Sequence, residues 1–239
     1  MSEKQAQLTL DFQHKSRFSK RSFINGSSNA SARTWLSRNS WPENRLWLWG
    51  PPGTGKTHLL QIWSQTHHVP FYEASEFDHA KLSEILEFDE SRTPIKAIII
   101  DHLDDLKDEV SLLHLINRAY QKKIKILMAA RQPPAWGRFT LPDLTSRLKA
   151  TLTTYIEEPE DKLRATLLLS LLAERQLVVP QPVTDWLWRR LPRTGEALVE
   201  AVSRLDQAAL AKGVSISRPL ALEVLADLLN PESQPKEEK

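Results

Sequence analysis

The chain has 239 residues, 41% of them hydrophobic and 26% charged, and a formal net charge of +2. That length suits one folded unit or two small lobes, and the composition excludes fibrous and wholly disordered classes. So small a basic excess excludes a protein whose main work is coating nucleic acid, and predicts no strong direct DNA binding.

From Met1 to Arg45 the chain is polar and rich in Ser, Asn, Lys and Arg, with short apolar islands at Leu8–Phe12 and Phe23–Ile24, and it reads as a tail and linker. The basic run His14 to Arg21 reads as a solvated charge run, the other reading being a contact to DNA or acidic lipid. Met1–Gln13 lacks the basic start and apolar run of a secretory leader, there is no cysteine, and no window reaches about 18 apolar residues. The expectation is a cytosolic protein without a membrane partner.

The middle of the chain alternates. Strands are predicted at Leu46–Trp49, Val69–Glu73, Ala97–Ile100 and Lys125–Ala129, and helices at Thr57–Thr66, Asp78–Glu87 and Asp108–Lys122. Short apolar, β-branched runs separated by longer amphipathic ones predict βαβ units and a parallel sheet covered on both faces. Beyond Pro159 only helices are predicted. Leu163, Leu167 and Leu171 mark one, Trp186 and Trp188 a second, and Leu198, Val202, Leu205 and Ala209 a third. Gly213 is placed to end the third, and Ser217-Arg-Pro219 to begin a fourth. The charged tail Asn230–Lys239 is expected to be disordered.

Gly50-Pro51-Pro52-Gly53-Thr54-Gly55-Lys56-Thr57 fits the pattern G-x-x-x-x-G-K-[ST] and takes three of the seven glycines in the chain. Backbone N–H groups turned inward by the glycines cradle phosphate oxygens, Lys56 supplies a compact positive charge, and Thr57 offers a hydroxyl to Mg²⁺ at a helix start that favours anions. About forty residues on, Asp101 ends an apolar strand, where it is either a plain turn residue or an acid that holds the metal through water. His102 follows, where a hydrolytic enzyme of this class carries an acid to activate water, unless Asp104 or Asp105 substitutes.

These residues resemble the AAA+ core of the DnaA family of bacterial replication initiators, and more closely its short regulatory Hda-type branch. Phe23-Ile24-Asn-Gly-Ser-Ser-Asn29 resembles the segment lining the family's adenine pocket, Gly53 through His58 to Leu60 its cradle and helix start, and Leu141-Pro-Asp-Leu-Thr-Ser-Arg147-Leu148 its arginine-finger box. The resemblance implies an α/β fold: an AAA+ P-loop domain with a parallel five-stranded sheet over residues 15–158 and a small all-α lid domain over 159–230. A flexible tail at 1–14 and a disordered one at 231–239 flank them. It also implies bound ADP or ATP with Mg²⁺, and the absence of the helix-turn-helix domain by which initiators bind DNA. Arg147 would be a finger offered in trans to the nucleotide of a neighbouring AAA+ molecule, or else a plain partner of Asp143. Gln7-Leu8-Thr-Leu10-Asp-Phe12 resembles clamp-binding peptides, with Gln7 making polar contacts and Leu10 and Phe12 filling an apolar pocket, or else an ordinary edge strand.

Three family positions are altered. His102 is one, Ala129-Ala130-Arg131 stands at sensor 1, and Glu196 stands at the lid position of sensor 2. The expected function is a regulator that binds nucleotide and the sliding clamp of DNA polymerase III and promotes hydrolysis of DnaA-bound ATP, with little or no ATPase of its own. The rivals are an autonomous DNA-dependent ATPase such as a helicase loader, and an adaptor that has kept only the fold. A homodimer stays open. Trp47, Trp49 and Trp63 read as core, and Trp136 either as a surface for a protein contact or as a loop residue packed on the core.

Overall fold

The computed structural model describes residues 25–38, 40–91 and 95–229. Five strands form one parallel sheet: β1 (Arg45–Trp49), β2 (Phe71–Glu73), β3 (Ala97–Asp101), β4 (Lys125–Ala130) and β5 (Leu152–Tyr155), in the order β2-β3-β4-β1-β5. Side chains alternate across it. Trp47, Ile98, Ile100, Ile126 and Met128 belong to one core, and Leu46, Leu48, Ile99, Leu127 and Ala129 to the other. With both faces buried, β1, β3 and β4 are apolar along their middles, with polar residues only at their ends, which is why they read as continuous runs.

The first face is covered by α3 (His79–Ser91), α4 (Glu109–Lys122) and α5 (Pro142–Lys149), through Leu82 and Ile85, Leu112, Leu115 and Ile116, and Leu144 and Leu148. The second is covered by α1 (Ala30–Leu36) and α2 (Lys56–His67), through Ala32, Leu36, Leu59, Leu60 and Trp63.

Helix α1 corrects the reading of residues up to Arg45 as linker. The run Ala30-Ser-Ala-Arg-Thr-Trp-Leu36 holds neither Gly nor Pro and sets Ala32 and Leu36 four apart, one turn of helix, on the face that meets the sheet. Trp41 joins the same core at 4% exposure, stacked on Trp63 with ring centroids 5.6 Å apart. Strand β5 was not placed from sequence, being short and half polar.

A third core belongs to α6 (Asp161–Glu174), α7 (Gln181–Arg190), α8 (Gly195–Lys212), α9 (Arg218–Val224) and the short α10 (Ala226–Leu229). Gly213, in the left-handed region at φ 62°, ends α8, and the Ser217 hydroxyl accepts the Leu220 N–H to open α9, as the sequence predicts. Buried Arg164 closes α7: its Nη2 donates to the carbonyls of Trp188, Leu191 and Pro192 at 3.1, 2.9 and 3.2 Å. These are carbonyls that a helix end leaves without partners. Asp161 completes the corner by pairing with both Arg164 and Arg193.

The candidate phosphate site and helix α5

All five strands being parallel, their C-terminal ends share one edge of the sheet, where ligands of such folds bind. The cradle leaves β1 there. A Cβ on Gly50 would collide with the carbonyl oxygen of Ile156, so the first cradle position admits no side chain. Gly53 is left-handed at φ 71°, and its carbonyl accepts the Gly195 N–H at 3.0 Å, bringing the first turn of α8 onto the loop. A Cβ at Gly53 would crowd the Gly195 and Glu196 nitrogens at 2.9 and 3.0 Å. The Thr194 hydroxyl caps α8 by accepting the Ala197 N–H at 3.2 Å.

The Lys56 ammonium lies over the loop, donating to the carbonyls of Gly50 and Pro51 at 2.7 and 2.8 Å. Its pKa is lowered, first by burial and also by Arg131, against the pull of Asp101, Asp104 and Glu196. Arg131 and Glu196, the two residues expected at sensor positions, thus share one electrostatic neighbourhood with the cradle lysine, although 65 residues separate them in sequence. Thr57 opens α2 beside Lys56, and the Thr54 hydroxyl braces the loop on the Pro51 carbonyl at 3.0 Å. His58, next along α2, is half-buried.

Asp101 ends β3 at 1% exposure. Its Oδ1 accepts the His102 N–H at 2.8 Å, while Oδ2 has no hydrogen-bond partner. A buried carboxylate oxygen with no hydrogen bond, its nearest cationic neighbour being the His102 imidazole at 3.5 Å, fits a group that meets a cation or its bound water. Gly55, left-handed at φ 92°, leads into α2, so the loop delivers its backbone N–H groups to a helix N-terminus, an arrangement that fits an anion. The residues present therefore suit a magnesium nucleotide: Gly50 to Lys56 would hold its phosphates, Thr57 and Asp101 its metal.

His102 is left-handed at φ 53°, and its Nδ1 lies 2.7 Å from Glu73 Oε2 and 3.5 Å from Asp101 Oδ2. Burial lowers its pKa, but Asp101 and the hydrogen bond to the Glu73 carboxylate outweigh that and raise it overall. The residue standing where a water-activating acid is expected is thus committed to neighbouring carboxylates. Asp104 is engaged elsewhere, its Oδ2 accepting the Arg131 N–H at 2.6 Å.

Helix α5 carries Arg147. Leu144 and Leu148 sink one face of α5 into the core, and Arg147 is exposed on the other. Among the described residues the Arg147 guanidinium has no ion pair, with Asp143 or any other acid. The helix is held at both ends. At its start the Glu109 carboxylate accepts the N–H groups of Thr140 and Leu141 at 2.9 and 2.8 Å and the Thr140 hydroxyl at 3.0 Å. At its end the Arg147 carbonyl accepts from the buried Arg45 guanidinium at 3.3 Å and from the Thr151 hydroxyl at 3.1 Å. Burial lowers the Arg45 pKa, and nearby Arg147 adds to that.

Trp136 is 66% exposed, yet leans edge-on against Trp49 at 6.2 Å, which itself stacks on Tyr155 at 4.3 Å. Trp47 and Trp63 are core, as expected, and Trp49 is half-buried. Gln7, Leu8, Leu10, Phe12, the basic run from His14, and Phe23 and Ile24 lie outside the described residues. The described remainder of the segment expected to line an adenine pocket, Asn25 to Asn29, sits where core meets lid: the Ser28 carbonyl accepts the Glu157 N–H at 3.0 Å, and Gly26 abuts Leu163 of α6. Glu73, Arg45, Glu109 and Gly195 were missed in the sequence. Only Glu73 carried a signal, an acid ending a strand parallel to the one that ends in Asp101.

Comparison with known proteins decides what this arrangement is. The family model described as the bacterial DnaA ATPase domain matches residues 14–157, and that described as Hda, lid domain, matches residues 161–225. The chain belongs to the bacterial DnaA ATPase family, as an Hda-like paralogue. The chromosomal replication initiator protein DnaA of Sphingopyxis alaskensis is 30% identical over 77% of this chain and 44% of its own length. The chain thus spans about half the length of the curated relatives it matches. Domain III of the Thermotoga maritima replication initiation protein DnaA superimposes with a TM-score of 0.76 at 19% identity, covering 90% of this chain and 98% of that one. AMPPCP-bound DnaA from Aquifex aeolicus follows at 0.59 and 21% identity, covering 80% and 65%. Together these show a DnaA-like AAA+ fold with an Hda-type lid. Among the described residues no helix is long and apolar enough to cross a membrane.

Proposed function

We propose that this Hda-like protein is a cytoplasmic regulator of replication initiation that holds an adenine nucleotide, docks on the DNA polymerase sliding clamp and promotes hydrolysis of ATP bound to DnaA. The observation that carries the reading is the contrast at Arg147: an exposed guanidinium without an acidic partner, on a helix whose apolar face is buried and whose two ends are pinned. An arginine fixed in this way can neutralise charge as a phosphoryl group leaves on a neighbouring molecule, an effect of about 10³ to 10⁵ in rate where measured on GTPases.

The chain's own nucleotide serves a structural purpose in this reading. The backbone from Gly50 to Gly55 and the Lys56 ammonium grip its phosphates, Thr57 and Asp101 steady its Mg²⁺, and the Gly53–Gly195 contact carries the presence of nucleotide to the lid. The bound metal would neutralise phosphate charge. His102, tied to Glu73, does not activate water, and the Glu196 carboxylate repels a γ-phosphate, so ADP is the favoured ligand. Gln7, Leu8, Leu10 and Phe12 engage the clamp as a linear peptide that orders on its partner.

The test is ATP turnover by DnaA with clamp loaded on DNA, with and without this protein. Stimulation that vanishes in Arg147→Ala is expected; no stimulation, or equal stimulation by the variant, defeats the reading. Clamp pull-down should fail when Leu10 and Phe12 are truncated to alanine.

A further inference from the structure

The lid carries seven arginines. Four are matched to carboxylates: Arg164 and Arg193 to Asp161, Arg175 to Asp206, and Arg204 to Glu200 and Asp227. The remaining three, Arg189, Arg190 and Arg218, have no ion pair among the described residues, and all three line one open groove of about 280 Å³ with Trp186, Pro182 and Asp185.

Local structure explains only part of this. Arg189 and Arg190 stand in the last turn of α7, where the helix dipole favours cations. Arg218 stands in the first turn of α9, where the same dipole disfavours one. What it gains there is Trp186: its guanidinium lies 5.0 Å from the ring centroid, with Arg190 at 5.6 Å, while Arg189 lies 5.3 Å from Trp188. Two helices thus converge guanidiniums on one indole and oppose them with the single acid Asp185.

We propose that this arginine–tryptophan groove is a phosphate-reading surface that lays the lid against the backbone of duplex DNA. Guanidiniums held over aromatic rings keep their fork of donors pointing outward at reduced entropic cost, and planar forks suit phosphate oxygens. Duplex DNA presents about one negative charge per 1.7 Å of axis, so adjacent phosphates meet adjacent arginines at once. Because guanidiniums already lie over the Trp186 ring, the groove offers charge rather than a stacking platform for bases. Binding is therefore insensitive to sequence, and weak: with so small a net charge overall, the affinity belongs in the non-specific range, Kd about 10⁻⁴ to 10⁻⁶ M at physiological salt. Such a surface orients a protein that already works on DNA without recruiting it there. The proposal depends on neither Arg147 nor the clamp peptide.

The experiment is fluorescence anisotropy of a labelled duplex of about 30 base pairs with the full-length protein, between about 50 and 200 mM salt, with neither DnaA nor clamp present. The log affinity should fall against log salt with a slope of about −2 to −3, as for three phosphate contacts. The triple variant R189Q/R190Q/R218Q should lose at least about tenfold in affinity at low salt and most of that slope. The charge-matched variant R175Q/R204Q/K212Q, which removes cations already paired with acids, should bind like the parent. Circular dichroism and ADP affinity unchanged in both variants establish that the lid is intact; Trp186→Phe, which keeps a ring under the arginines, serves as the milder variant and should lose less than the triple. Absence of duplex binding overturns the proposal, as does equal loss in the two triple variants. So does a groove-dependent preference for polyglutamate or anionic vesicles over duplex, which would make the partner an acidic protein or a membrane.

Discussion

The edge of the sheet and helix α5 present their charged groups in opposite ways on one scaffold. At the edge the cradle from Gly50 through Thr57 and a buried Asp101 stand together, while His102 is tied to Glu73, and Arg131 and Glu196 act on Lys56 with opposite charge; in the proposed reading these last three take the places of groups that would use a γ-phosphate. On α5 nothing is diverted. Its apolar face is buried, its start is held by Glu109, its end by Arg45, and its arginine is exposed. The difference teaches that, in the proposed reading, a nucleotide site and a finger would be separable devices: one set of groups holds the chain's own ligand while an exposed arginine on a braced helix is free to meet a neighbour.

The hardest blow to that comparison falls on Arg147. Arg147→Ala should lower stimulated DnaA ATP hydrolysis by about 10³-fold or more while leaving ADP affinity and melting temperature unchanged. If ADP affinity fell as well, the two sites would not be separable. Next is the hinge between loop and lid. In Gly195→Val a Cβ would run into the Gly53 carbonyl oxygen. Nucleotide affinity should drop about 10- to 100-fold, or about 1.4 to 2.8 kcal/mol, by titration with labelled ADP. Because the lid keeps its own core of leucines around Leu198 and Leu205, its helix content should stay unaltered.

Glu109→Gln probes whether aim matters as much as charge. Burial pushes the Glu109 carboxyl up, but the N–H groups of Thr140 and Leu141 and the Thr140 hydroxyl hold it below its ordinary value. A lowered folded-state pKa means that the charged form favours the folded chain. Its contribution is present above about pH 4.5 and is lost as the pH falls through the lower folded value. The Gln variant should cost about 1 kcal/mol, discounted for solvent screening, and lower stimulation up to about tenfold with Arg147 intact. Acid melts of parent and variant should converge below that pH.

What could be read in advance divides along physical lines. The cradle, Asp101 and the four apolar strands were legible because each is a short local pattern: glycines where the backbone must approach phosphate, or a β-branched run buried on two faces. Helix α1 was misread because its polar exterior dominates a segment whose buried positions are only Ala32 and Leu36. The braces were illegible for another reason. Glu73 meets His102 across 29 residues because β2 and β3 are paired so that Glu73 lies opposite Asp101, and Glu109 meets Thr140 across 31 because α4 and α5 share a face. Glu109 has no local partner that would distinguish it from an ordinary surface acid, and the one mark on Glu73 is its place at a strand end.

The gentlest prediction asks how far the edge of the sheet has moved from hydrolysis. Restoring an acid with His102→Glu would give an isolated site a general base, an effect of about 10² to 10⁴ where the rest of the machinery waits for it. Here the new carboxylate would face Glu73, whose oxygen now lies 2.7 Å from the imidazole, and the buried Asp101. Like charges at that distance raise one another's pKa and draw the pair apart. Arg131 and Glu196 would stay as they are, still crowding Lys56 with one cation and one anion that the resemblance does not lead one to expect. The expected rise in basal ATPase, measured by phosphate release without DnaA, is therefore less than about tenfold, and adding Glu73→Gln should recover only part of the remainder. A rise of several hundredfold from the single substitution would show the site to be one residue short of an enzyme, with its sensors still competent, and the contrast with α5 would reduce to His102 alone.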